Sequence, residues 1–309
     1  MWAGDRAYSD LMRELWGSPG LWNVKRTYIE VARRLRVDEE TVRNRIKHMR
    51  DSGFLLGWRV LPNPALLHRS NSFLFLELED HDAKDETISR LCTMDGVIVI
   101  ASFYGPGMLV TLLDDEQKSS EREILQMGIR AETFTTPGMQ LPSLVPFRMT
   151  VTDWRIVRLL ISDAERRPSD ISRELKLSTK TVNRRLGEMM DSRAVFNMPI
   201  VNLKAAGGIS YQMIVRCKEE ARTSEVEGFV ASRIQNLVFR AATTKRDLIF
   251  GFNGINVAEG DEILKFVKKL PMVRSVQMNI VENVVHVYDW LAREVESQLR
   301  SAGGALEQS

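Results

Sequence analysis

Arg43, Asn44 and Lys47 stand together in one part of the chain, and Thr179, Lys180, Asn183 and Arg184 in another. Their chemistry is recognition rather than bond making. Arg and Asn on one exposed helix face can make bidentate hydrogen bonds to guanine and adenine edges in a major groove, while Lys offers a point charge to phosphate. The two groups are related by the sequence itself. Sliding the chain by 140 positions aligns residues 31–52 with 171–192 without a gap, so that Arg33, Leu35, Thr41, Val42, Arg45, Met49, Asp51 and Ser52 recur as Arg173, Leu175, Thr181, Val182, Arg185, Met189, Asp191 and Ser192. A single basic helix face is more often merely solvated. Two ordered copies point to a duplicated unit built to present them, with Arg45 and Arg185 serving either phosphate or the helix itself.

Each copy reads as helix, short turn, helix. Asp38 and Ser178 suit the N-cap of the second helix, since their oxygens can accept from the unpaired first-turn amides. Val42, Ile46 and Met49, and likewise Val182, Leu186 and Met189, form one apolar stripe per helix, leaving the basic face outward. A leading helix ends near Trp16, and Gly17-Ser-Pro-Gly20 breaks the chain. Residues Phe54–Val60 and about 194–202 suit strands that could act as wings, which makes each unit a winged helix-turn-helix. Asp153 or Thr152 is the expected cap opening the second unit.

Between and after these units the rhythm changes to strand, helix, two strands, helix, strand. It is read first from Ser72 to Thr135 and again from Ile209 to Val281, the ferredoxin-like βαββαβ pattern. Val97-Ile-Val-Ile-Ala101 is apolar on both faces, so its second face should be covered by another sheet. The expected fold is therefore α+β, with winged helix-turn-helix and ferredoxin-like domains alternating by internal duplication. The limits are 1–66 and 70–136, a Pro-rich linker at 137–150, then 151–206 and 207–287, with a closing helix and tail at 288–309.

Composition narrows the classes. With 309 residues, 44% hydrophobic and 27% charged, the chain is that of a soluble multidomain protein. Formal net charge is only +2, yet from Lys25 to Arg50 nine Lys or Arg face four acids, a local charge of +5 on the repeated unit. No signal peptide or membrane span is legible, so the expected place is the cytoplasm, on the nucleoid. Cys92 and Cys217 give no disulfide framework, and the four histidines have no ligand spacing. No phosphate loop, nucleophile elbow or triad stands out, so no enzyme, metal or cofactor is expected.

Thr41-Val-Arg-Asn-Arg-Ile-Lys-His-Met49 and Thr181-Val-Asn-Arg-Arg-Leu-Gly-Glu-Met189 resemble the Thr-Val-x-x-Arg-Ile-x-x-Leu signature of the Lrp/AsnC transcription regulators, and the segments that follow resemble that family's regulatory domain. The resemblance implies double-stranded DNA as partner and an effector such as an amino acid. It places the effector at a Thr-Gly-x-x-Asp turn, which here would involve Gly105 and Gly107 in the first copy and Thr243, Thr244 and Asp247 in the second; neither copy of the turn is intact. It also implies a dimer, which two fused halves would supply as an intramolecular pseudo-dimer, with further homo-oligomers open. Because the two reading helices differ, the expected site has unlike halves. The alternatives are a ligand-sensing module without DNA function, and an enzyme on the same architecture, as in siroheme decarboxylases. The enzyme reading expects the basic faces to be lost, and Arg43, Lys47, Lys180 and Arg184 keep them.

Overall fold

A computed structural model describes residues 6–16, 28–115, 120–129, 131–137, 145–243 and 246–304. The first winged unit comprises α1 (Arg6–Trp16), α2 (Tyr28–Leu35), α3 (Glu39–Asp51) and β1 (Leu55–Pro62). A ferredoxin-like unit follows: β2 (Arg69–Leu78), α4 (Lys84–Leu91), β3 (Val97–Phe103), β4 (Gly107–Asp115), α5 (Ser120–Gln126) and β5 (Ala131–Pro137). The order then runs again through α6 (Val151–Ser162), α7 (Pro168–Leu175), α8 (Thr179–Asp191) and β6 (Val195–Val201). The second ferredoxin-like unit is β7 (Ile209–Cys217), α9 (Thr223–Arg233), β8 (Leu237–Ala242), β9 (Asp247–Gly254), α10 (Val257–Lys268) and β10 (Val273–His286), and α11 (Asp289–Gly304) closes the chain. The Gly17–Gly20 break and most of the Pro-rich linker fall outside the described residues.

Local chemistry sets the same stops and starts in both winged units. Asp38 accepts from the Thr41 amide at 2.6 Å and Ser178 from the Thr181 amide at 3.0 Å, each satisfying a donor that the first helical turn leaves open. Helices α2 and α7 stop where Arg36 and Lys176 turn left-handed, both at φ 55°. Helices α3 and α8 stop at left-handed Gly53 and Arg193, and the amides of Phe54 and Ala194 reach back to the carbonyls of Met49 and Met189 at 3.0 and 2.8 Å. The cap of α6 differs from the sequence expectation. Thr150, not Thr152 or Asp153, is the N-cap, and Asp153 is the reciprocal partner of a capping box, taking the Thr150 amide at 2.8 Å.

The strands expected at the wing positions are present, and they pair with each other. Neither is half of a free hairpin: β1 pairs antiparallel with β6, Trp58 lying opposite Pro199 and Val60 opposite Asn197. A lone strand has no ladder partner within its own unit, and each strand satisfies its backbone groups on the other.

The eight remaining strands form one sheet in the order β5-β2-β4-β3-β10-β7-β9-β8. Each half has the ferredoxin-like order of fourth, first, third, second strand, and β3 of the first half joins β10 of the second. The sequence places the end of that last strand at Val281, but it runs on to His286, and the added residues make the join: Val284 opposite Ala101, Val285 opposite Ile100, His286 opposite Val99. The sheet also folds over on itself. Phe73, Phe75, Phe103 and Leu109 of the first half pack against Ile214, Ala241 and Ile249 of the second, with the Phe73 and Phe239 ring centres 6.3 Å apart. The doubly apolar β3 is thus covered by another part of the sheet, as expected. On the outer faces Leu74, Leu76, Val110 and Ile124 form one core with the second winged unit, and Met213, Val215, Val226 and Val267 form another.

The winged units are crossed over relative to the chain order. The first buries its Val31, Val42 and Met49 with Val201 at the end of β6 and with Ala206 just after it, and its α1 packs on β8 of the second half. The last helix, α11, packs on α6 and returns to the first sheet, where the Trp290 indole donates to the Val97 carbonyl at 2.7 Å. If the inter-sheet contact holds the halves together, Phe73→Ala should lose about 3–5 kcal/mol in a denaturant titration. A loss below about 1 kcal/mol, the cost of a mild surface change, would mean that the two faces do not pack.

Candidate nucleic-acid interface and inter-sheet cavity

In α8, Val182, Leu186 and Met189 are buried at 0%, 3% and 0% exposure, and Thr179, Lys180, Asn183 and Arg184 are exposed on the other side. In α3, Val42, Ile46 and Met49 point inward, and Arg43, Asn44 and Lys47 are exposed. Arg43 and Arg184 are each paired with an acid one turn away. Arg43 Nε donates to Glu39 at 2.9 Å with its guanidinium 4.8 Å from the Tyr28 ring centre, and Arg184 Nη1 donates to Glu188 at 2.6 Å. Exposed helix pairs of this kind are worth about 0.3–0.5 kcal/mol. A good bidentate base contact is worth roughly 1–3 kcal/mol, so such a contact outweighs the pair it displaces.

Two other sequence candidates behave differently. Arg185 is turned inward: its Nη1 lies 3.6 Å from Asp153, which is completely buried, so it braces α8 against the capping box of α6 rather than facing outward with Arg184. Arg45, at the matching place in α3, is half-buried. His48, on the same helix, lies against Tyr8 of α1, ring centres 5.7 Å apart. Lys25 lies outside the described residues.

The two effector-type turns are not brought together. Gly105, at φ 103°, forms the β3–β4 turn, where left-handed backbone requires glycine, and the adjacent Tyr104 amide bonds to Ile280 of β10 at 3.0 Å. Gly107 follows with no room for bulk, since a Cβ there would come within 3.2 Å of the Phe103 ring. Thr243 and Asp247 close the β8–β9 turn on themselves: the Asp247 amide bonds to Thr243 Oγ1 at 3.1 Å and the Thr243 amide to the Asp247 carbonyl at 2.9 Å. Arg246 ties that turn to the carbonyls of Glu219 and Ala221. Thr244 lies outside the described residues.

Between the folded-over sheets is a cavity of about 160 Å³, lined mainly by apolar side chains that include Phe73, Leu109, Phe196 and Phe239. Sequence reading missed it. Its one signal was Gln212, a polar residue at an inward position of the apolar run Tyr211–Val215. His286 stands where this cavity meets a wider recess of about 680 Å³ beside the wing strands. Its Nδ1 lies 3.3 Å from the Tyr288 hydroxyl and its Nε2 3.4 Å from the Val201 carbonyl, and the Arg59 guanidinium sits 5.3 Å from the Tyr288 ring centre. Burial holds the imidazole below its ordinary pKa of 6.5, opposed by the bond to Val201 and helped by the positive charge of Arg59.

The fold and its sites define a class of tandem chains in which winged helix-turn-helix and ferredoxin-like units alternate. Residues 149–190 match the AsnC-type helix-turn-helix domain. No curated protein matches the chain in sequence. Among solved structures it is similar to the crystal structure of the siroheme decarboxylase NirDL, at 14% identity and TM-score 0.61 over 97% of this chain and 99% of that one. It is also similar to NirDL in co-complex with an iron-uroporphyrin III analogue, with TM-score 0.57 at the same identity and coverage. The structure of B. subtilis LrpC aligns at 14% identity and TM-score 0.35 over 44% of this chain and 96% of that one. At these identities the likeness to NirDL establishes the fold.

A histidine kept neutral by burial makes the folded state bind fewer protons than the unfolded chain. Its contribution is present above pH 6.5 and is lost as pH falls through the unfolded value towards the lowered folded one. Stability should therefore drop from pH 7.5 to 5.5 with a slope reaching at most about 1.4 kcal/mol per pH unit from this group. His286→Gln should flatten that slope in denaturant titrations, and an unchanged slope would contradict the assignment.

Proposed function

We propose that this chain is a sequence-specific DNA-binding regulator of Lrp/AsnC type that reads DNA with two unlike helices, α3 and α8. The observation that carries the reading is the face of α8. Within the segment that matches an AsnC-type helix-turn-helix domain, Lys180, Asn183 and Arg184 project from a helix whose opposite stripe is buried and whose start is capped by Ser178. The helices are unequal in charge. The first turn of α3 carries Glu39 and Glu40, which repel phosphate, and that of α8 carries no acid, with Thr179 and Lys180 at its start. One chain thus offers two different half-site readers, with α8 contributing more affinity.

Affinity for duplex DNA should fall steeply with salt, with a log–log slope of about −0.9 per phosphate neutralised. On sites selected in vitro from random duplexes, Arg184→Ala should lose roughly 1–3 kcal/mol and relax the base preference of one half-site. Arg43→Ala should lose less and relax the other. A flat salt response, or equal losses on selected and random DNA for both variants, would contradict the reading.

The second reading, an enzyme on this architecture, is favoured by the likeness to NirDL over nearly the whole chain. A carboxylate-rich tetrapyrrole needs several cationic partners. Among the described residues the cavity lining holds no Arg or Lys, and the adjoining recess holds Lys204 alone. Siroheme titrated into the full chain is expected to leave its visible spectrum unchanged. A saturable spectral shift followed by release of carbon dioxide would move the assignment to the enzyme.

A further inference from the structure

The inter-sheet cavity has a polar imbalance that its lining does not resolve. Gln212, 5% exposed, lines it, and its Oε1 is buried without a hydrogen-bond partner. On the neighbouring strand Asn279 stands directly opposite Gln212, and its Nδ2 is likewise buried without a partner. Antiparallel partners project to the same sheet face, so one face carries an unused acceptor and an unused donor side by side. Leaving such groups unpaired costs roughly 1–3 kcal/mol each. Of the two, Gln212 lines the cavity, and a ligand hydroxyl there can donate to its Oε1.

Small residues stand beside them, and the Phe239 side chain packs over Gly251. Gly251 pairs with Gln212 on the other side, in β9, and Ala101 of β3 lines the cavity too. The remaining walls are predominantly apolar, and His286, the one ionisable imidazole among the described lining residues, has both nitrogens near partners within the protein. The volume, about 160 Å³, matches a single six-membered ring, since an apolar cavity of about 150 Å³ takes up benzene. We propose that this cavity binds an uncharged, phenol-sized molecule whose hydroxyl donates to Gln212 Oε1. The site does not depend on DNA recognition and is tested without DNA.

The full chain is titrated with phenol, toluene and benzoate by calorimetry, with ligand-observed NMR as a second readout. Phenol should bind saturably at one site, and benzoate should not bind, because the described lining offers no cation. Gln212→Leu, and the closer isostere Gln212→Met, should lower the phenol-to-toluene affinity ratio about 3- to 10-fold, the worth of one hydrogen bond. Ala101→Leu, which fills the cavity, should abolish binding of both. The proposal is overturned if the unaltered chain shows no saturable phenol binding or takes benzoate as tightly as phenol. It is equally overturned if the ratio is unchanged in both Gln212 variants, or if Ala101→Leu still binds phenol.

Discussion

The pairing of β3 with β10 is the constraint on which the rest of the molecule depends. A four-stranded ferredoxin-like sheet has two open edges, and an open edge is a row of unpaired backbone donors and acceptors. Here one edge of each half closes on the other, leaving β5 and β8 outermost. The ladder is irregular between Val281 and Asn283, so Glu282 is the extra residue of a bulge. A bulge bends and twists a sheet, and this one sits where the sheet must turn for Phe73 to meet Phe239. Glu282 is put to use: it pairs with Lys84 Nζ at 2.7 Å, and that buried ammonium also donates to the Phe103 carbonyl at 2.5 Å. Joining, bending and face packing are therefore coupled at one point of the backbone.

The same join fixes the surroundings of α3 and α8. The crossed packing of the winged units, with α11 bound to α6 and to β3, ties each helix-turn-helix to the ferredoxin-like half it does not precede. The β1–β6 ladder links the two units directly. The two helices are thus anchored to one body through several short contacts rather than through a flexible linker.

How much of this was legible in the sequence follows from what each feature depends on. The caps of α3 and α8 and the inward stripes are local, and Asp38, Ser178 and the Val42 and Val182 stripes announced them. The need for a second cover over β3 was legible because Val97–Ala101 is apolar on both faces. The edge join was not, because Glu282 and Asn283 interrupt the alternation that marks a strand, and a bulge is what such an interruption becomes when a partner is present. The pairing of the wing strands and the return of α11 depend on contacts more than a hundred residues apart, which no local pattern encodes. At the candidate interface the exposed set was legible from helical periodicity. The inward turn of Arg185 was not, since it depends on Asp153, a residue whose sequence position suggested a cap. The cavity was invisible because its lining comes from strands of both halves, which meet only when the sheet folds over.

The two halves form one cooperative body closed through β3 and β10, and native-state hydrogen exchange across a denaturant series tests this. The amides of Val284, Val285 and Ile100 at the join should exchange only through global opening, with the same free energy and denaturant slope as core amides of β7 and β4. Exchange of the join at markedly lower free energy, with the two halves opening in separate steps, would contradict it.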